Sequence, residues 1–214
     1  MVIIPTPGCV GPPWWGDKTV FLVGGGPSLA GFDLKRLCGL GHLCGVNESM
    51  LHLPVAAGVS IDLRFVKERW RDLTAFAGTT QLYLSMGSEW WREVPPVAGA
   101  INLRNEPQPG LSIDPAVLRR GHTSGYAALN LAVLKRAKRI VLLGYDYGLI
   151  DGRHHYHDAY TWRAVTASNW ATWARDFVDA AAACRSLGVD VVNASPHSAI
   201  ECFPKMSIED ALRW

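Results

Sequence analysis

Short β-branched or apolar runs alternate along the chain with longer stretches whose apolar residues recur every three or four positions, the pattern of strand-helix-strand units around a parallel sheet. The runs predict strands near Val20 to Val23, Leu43 to Val46, Ser60 to Phe65, Gln81 to Leu84, Ala100 to Leu103, Arg139 to Leu143 and Val189 to Asn193. The longer stretches predict helices over Ser28 to Leu37, Glu48 to Ala57, Lys67 to Phe76, Ser124 to Arg136, Ser168 to Leu187 and Ser207 to Arg213. The clearest is Ser168 to Leu187, where Trp170, Trp173, Phe177, Ala180, Ala181 and Cys184 share a face and Gly188 supplies the stop. Gly87 to Pro115 is rich in proline and lacks periodicity, so it reads as a long excursion rather than a second domain. The expected class is α/β with a mostly parallel sheet, in a single domain over residues 19–214 behind a proline-rich lead over residues 1–18.

Composition leaves this picture intact. A chain of 214 residues that is 49% hydrophobic can cover both faces of a sheet. The charged fraction is 19% and the net charge +2, so no polybasic arm or acidic tail names a nucleic acid or membrane partner. Five cysteines, odd in number and without a CxxC, argue against a disulfide framework or a zinc site and fit a reducing cytoplasm. The first 17 residues hold four prolines and no apolar run behind a basic start, and no segment is long and apolar enough for a membrane span. Nine tryptophans include the pairs Trp14-Trp15 and Trp90-Trp91. Packing is the commoner use of such residues, and a stacking surface or a contact in a homo-oligomer is the other.

In an open parallel sheet a ligand sits beyond the carboxyl ends of the strands, so candidate chemistry is sought in the loops there. Gly24-Gly25-Gly26-Pro27-Ser28 follows the first strand. Glycines allow close backbone approach, amides opening the next helix point at an anion, and Ser28 caps that helix or donates to a phosphate. The turn is neither GxGxxG nor a P-loop, and plain strand-helix geometry is the competing explanation. Asn47 ends the second strand and either caps a helix or contacts a ribose or base. Thr123 and Ser124 open a helix beside Arg119, Arg120 and His122 and suggest a second anion site, or an ordinary cap. Asp146 closes a later strand, and Asp151, His154, His155, His157 and Asp158 follow it. Such a cluster supplies general acid/base groups, or ligands for a divalent ion in no fixed zinc spacing. Asn193, Ser195 and His197 follow the last strand, where functional and capping uses are equally open.

The order of these motifs resembles the MptE-like family, which contains archaeal hydroxymethyldihydropterin pyrophosphokinases and flagellin-linked motility accessory factors. GGGPSL, Asn47, HTSGYAALNLAVLKRAKRIVLLGYDYG, DGRHH and GVDVVNASPHSAIECFP carry the resemblance across most of Thr19 to Leu212. The order is also similar to the bacterial lipooligosaccharide sialyltransferases, with a GPSL loop, a TSG helix start and a strand ending in aspartate. The resemblance implies a Rossmann-like, doubly wound transferase with a nucleotide or nucleotide-sugar donor. Gly24, Gly25, Gly26, Pro27 and Ser28 would then hold its phosphate and ribose, with Asn47, Thr123, Ser124 and Asn193 as further nucleotide contacts. Departures are Gly25 where the sialyltransferases have asparagine, and Gly121-His122 where they have an arginine before TSG, Arg120 being one position displaced.

The implied activity is transfer of a sugar from a nucleotide donor to a hydroxyl, with His154, His155 or His157 as base and Asp146 beside it. One alternative is an ATP-dependent diphosphokinase, for which Asp146 and Asp151 would carry Mg²⁺. Another is a nucleotide-binding or phage assembly protein that has lost the chemistry. A modified nucleobase as acceptor draws little support from a net charge of +2.

Overall fold

The computed structural model describes residues 14–16, 18–84, 94–108, 110–160 and 166–214. Most of the proline-rich lead and the Trp90-Trp91 pair lie outside the described residues. The strands are β1 (Thr19–Val23), β2 (His42–Val46), β3 (Ala57–Ser60), β4 (Gln81–Leu84), β5 (Arg104–Glu106), β6 (Val117–Arg119), β7 (Arg139–Leu143) and β8 (Asp190–Asn193). The helices are α1 (Leu63–Glu68), α2 (Trp70–Ala77), α3 (Ser124–Leu134), α4 (Ala167–Ser186) and α5 (Ile208–Ala211).

Six strands form one parallel sheet in the order β4-β3-β2-β1-β7-β8, flanked by helices, an α/β arrangement compatible with a Rossmann-like fold. β5 and β6 pair separately, also in parallel. Both sheet faces are covered, so the strands read as continuous apolar runs rather than alternating ones. Val20 and Leu22 of β1 and Ile140 and Leu142 of β7 enter a core with Tyr126, Leu129 and Phe177 of α3 and α4. Phe21, Val23, Val141 and Leu143 enter the opposite core with Leu73 and Phe76 of α2 and Ala211 of α5. α3 is buried over ten of its 11 residues, from Ser124 to Val133, so it is apolar all round instead of amphipathic. No helix among the described residues is long and apolar enough to cross a membrane.

Several elements depart from the sequence pattern. The expected helix Ser28 to Leu37 is two 3-10 turns, Pro27–Leu29 and Leu34–Leu37, interrupted at Gly31 with φ of +77°. The expected helix Glu48 to Ala57 is a 3-10 segment, Asn47–Leu51, after which the chain passes Pro54 and enters β3. The strand expected over Ser60 to Phe65 ends at Ser60, because Asp62 caps α1 by accepting from the Arg64 and Phe65 amides. β3 is Ala-Gly-Val-Ser, small because a Cβ at Gly58 would lie 2.7 Å from Met50 Sδ. The helix expected over Lys67 to Phe76 starts earlier and breaks at Arg69 into α1 and α2. Of Ala100 to Leu103, Ile101 alone makes a bridge, to Tyr83, while β5 and β6 had no distinct apolar signal.

β1 lies between β2 and β7, so the succession of strands reverses there. The loops leaving β1 and β7 therefore run side by side: the Gly24 amide donates to Leu143 O and the Gly26 amide to Gly144 O, each at 2.8 Å. Such a reversal opens a crevice at the carboxyl edge of a parallel sheet.

Candidate functional site

A cleft of about 780 Å³ opens at this reversal, a size suited to a small organic ligand. It gathers Gly24, Gly25 and Gly26 after β1, Asn47 after β2, Thr123 and Ser124 at the start of α3, and Asp146, His154 and His155 after β7. Pro27, Ser28, His157, Asn193 and Asp151 are outside its lining.

The glycine turn differs from an amide cradle for an anion. Its Gly24 and Gly26 amides are committed to the β7 loop, the Ser28 amide donates to Asp146 Oδ2 at 3.0 Å, and Pro27 has no N–H. Glycine is required at 24 and 26 by close packing, since a Cβ at either would run into Gly144 O, and at 26 also into the Asp146 carboxylate. Gly25 also lines the cleft, where a Cβ would lie 3.3 Å from His155 Nδ1. The 3-10 turn that follows, only Pro27–Leu29, is too short to carry a helix dipole of consequence.

Anion-binding geometry is better at α3. The Thr123 hydroxyl caps the Tyr126 amide and bonds Tyr147 OH at 2.8 Å, and Ser124 Oγ accepts from the Ile61 amide. Both hydroxyls are thus occupied in fixing the helix start. The Ser124 and Gly125 amides in its first turn have no intrahelical acceptor and combine with the positive end of the helix. Arg120, Arg64 and Lys67 line the same cleft, with Arg120 Nε anchored on Asn105 Oδ1 at 2.6 Å.

Asn47 does not cap. It takes the left-handed conformation, φ +51°, and its Oδ1 is buried without a hydrogen-bond partner among the described residues. Asp146 is buried, accepts from the Ser28 amide and hydroxyl on Oδ2, and leaves Oδ1 without a partner. Burial raises its pKa, against the opposing Ser28 hydrogen bonds. Asn193 acts from behind the cleft: its Oδ1 accepts from the Ser195 amide, and Ser195 Oγ accepts from the Tyr145 amide, which fixes the β7 loop. Asp151 sits exposed in the Ile150–Arg153 turn, so the two aspartates are not brought together at the cleft. Among the described residues no group of three or more His, Cys, Asp and Glu side chains is placed to hold a metal ion.

The histidines separate. His155 Nδ1 donates to Gly25 O at 3.2 Å and the Tyr156 amide donates to the same oxygen, so this loop clasps the glycine turn. His157 lies behind, stacked on His155 at 5.3 Å and 6°, with Tyr156, Tyr160 and His52 edge-on to its ring. Burial, assisted by His155, pushes its pKa from 6.5 down to about 4. A histidine held neutral in the fold but free to protonate when unfolded favours the fold above 6.5, and that advantage is lost as pH falls from 6.5 towards 4. The urea midpoint should therefore drop across this window, and His157→Gln should flatten the slope; an unchanged slope would contradict this placement.

Two features had no signal in the sequence because their members are far apart in it. Glu48, buried, takes a bidentate hydrogen bond from Arg69 Nε and Nη2 at 3.0 and 2.9 Å, with His52 Nε2 at 3.5 Å. Tyr156 OH joins His52 Nδ1 to Ser49 Oγ, which donates to Gly24 O at 2.6 Å, so this network supports the glycine turn from below. The second is the pair His122 and Asp176 at the mouth of the cleft, with Nδ1 to Oδ2 at 2.8 Å. Trp15 is buried and stacked on His42, whereas Trp170 and Trp173, at the start of α4, line the cleft. No protein-family model matches the chain, and no curated protein or solved structure matches it.

Proposed function

We propose that the protein is a nucleotide-dependent transferase on a doubly wound, Rossmann-like domain, moving a sugar from a nucleotide-sugar donor to a hydroxyl. The observation that carries this is the convergence of residues from 24 to 155 on one cleft at the strand reversal, the position where such sheets take nucleotides. The motif order shared with the MptE-like and sialyltransferase chains supports the same reading.

The donor phosphate sits at the first turn of α3, where the Ser124 and Gly125 amides and Arg120 neutralise the charge that develops as it leaves. The nucleoside lies along the glycine turn beside Asn47, whose unpartnered Oδ1 accepts from a ribose hydroxyl or a base amine. Trp170 and Trp173 offer a stacking face.

Asp146 Oδ1 favours one second reading, the diphosphokinase, because a buried carboxylate oxygen without a partner at the cleft suits one Mg²⁺ ligand. Calorimetric titration with CMP-, UDP- and GDP-linked donors and with ATP separates the two. The transferase reading expects one nucleotide-sugar to bind and to release its nucleotide in the presence of chelator. ATP as sole ligand, with AMP formed only when Mg²⁺ is present, would replace it by the diphosphokinase. Binding without any turnover would leave a nucleotide-binding protein.

A further inference from the structure

We infer that the proton acceptor of the transfer step is His122, oriented by Asp176, rather than a member of the 154–157 cluster; this rests on the transferase reading above. His122 Nδ1 donates to Asp176 Oδ2 at 2.8 Å, and the His122 backbone amide donates to the same oxygen at 3.1 Å. Two bonds from one residue to one oxygen fix both the ring and the chain carrying it. They also set the tautomer: with hydrogen on Nδ1, the ring's lone pair is on Nε2. His122 lines the cleft and is 56% exposed at its side chain, whereas Asp176 is only 11% exposed, so the base stays accessible while its orienting carboxylate is held by α4.

The backbone is shaped around this pair. Gly121 has φ of +48°, and a Cβ there would lie 2.6 Å from Asp176 Oδ2 and 3.2 Å from Tyr126 Cγ. Glycine at 121 therefore meets both a conformational and a spatial demand, and both arise where the chain turns to present His122 immediately before the Thr123 cap. His122 thus stands two positions before Ser124, the first of the amides assigned to the donor phosphate. Among the described residues the cluster offers no such carboxylate pair: His155 gives its Nδ1 proton to the neutral Gly25 O, His154 lines the cleft with its Nδ1 buried and without a hydrogen-bond partner, and His157 Nε2 is buried outside the cleft lining.

In the step, the acceptor hydroxyl gives its proton to His122 Nε2 as its oxygen bonds to the transferred sugar carbon. The bond from that carbon to the donor phosphate oxygen breaks, and its electron pair remains on the phosphate at α3. Asp176 is a positioning residue that stabilises the imidazolium formed.

The test uses the full chain with the nucleotide-sugar identified by the titration panel, following nucleotide release. His122→Ala should lower kcat about 100-fold or more while donor affinity stays within about threefold, and added imidazole should restore part of the rate. Asp176→Asn should lower kcat about tenfold with donor KM unchanged, and His155→Ala should lower it less than His122→Ala does. A His122→Ala rate near wild type, a loss that imidazole does not rescue, or a wild-type protein that binds nucleotide-sugar without turnover would each overturn the assignment. Failure of every nucleotide-sugar to bind would overturn the transferase reading beneath it.

Discussion

Gly26→Val is expected to destabilise the protein by about 3 kcal/mol and to abolish ligand binding at the cleft, because the added side chain has no space to enter. A Cβ at 26 would meet the Asp146 carboxylate and Gly144 O, and both belong to the loop that leaves β7. Relief requires the β1 and β7 loops to separate, which breaks the Gly26 amide bond to Gly144 O and pulls Asp146 from the Ser28 amide and hydroxyl. The buried carboxylate would then lose the partners that offset its desolvation. Gly78→Ala is the matched control: its Cβ would find only Ala75 O, at 3.9 Å, and the urea midpoint should scarcely move. A Gly26→Val protein as stable as wild type would show that the loops are not packed as described.

Arg69→Ala is expected to cost about 3 kcal/mol, the penalty of leaving a buried carboxylate without its guanidinium. The Glu48 side chain is 5% exposed, and Arg69 provides two of its hydrogen bonds. Burial alone would raise the Glu48 pKa, but the hydrogen bonds from His52 and Arg69 outweigh it and hold the carboxyl below its ordinary 4.5. Stability from this source is complete above 4.5 and is lost as pH falls through the lowered folded value. Two consequences distinguish a buried pair from a surface one. The deficit of Arg69→Ala should shrink at low pH, where wild type loses the same interaction, and Glu48→Gln added to Arg69→Ala should recover most of it, since no uncompensated charge remains. Urea denaturation of wild type, Arg69→Ala and the double variant, at pH 7 and again below the lowered Glu48 value, measures both.

The legible elements were those whose pattern expressed burial on both faces: β1, β2, β4, β7 and β8 were continuous apolar runs, and α4 carried Phe177, Ala180, Ala181 and Cys184 at helical spacing. Elements shaped by space rather than apolarity were misread. β3 is small because Gly58 faces Met50, and the segment after β1 follows a helical rhythm in sequence but is cut by Pro27 and Gly31 into 3-10 turns. The site was legible to the extent that it sits at strand ends: Gly25, Asn47, Thr123, Ser124, Asp146 and His155 share one cleft. Division of labour within it was not. Whether Ser28 faces a ligand or Asp146, and whether His122 has a carboxylate partner, depend on residues 118 and 54 positions away, brought close only by the strand order and the loops it juxtaposes.

The proposed nucleotide site is the cleft at the β1/β7 reversal, with the phosphate at the start of α3. A backbone amide chemical-shift titration of the full chain with CMP, UDP, GDP and ATP tests it most directly. Saturable shifts are expected for at least one nucleotide at Gly25, Asn47, Ser124 and Gly125, with the exposed turn at Asp151 and Gly152 unaffected. The absence of saturable shifts with all four, or shifts confined to residues outside the cleft, would contradict it.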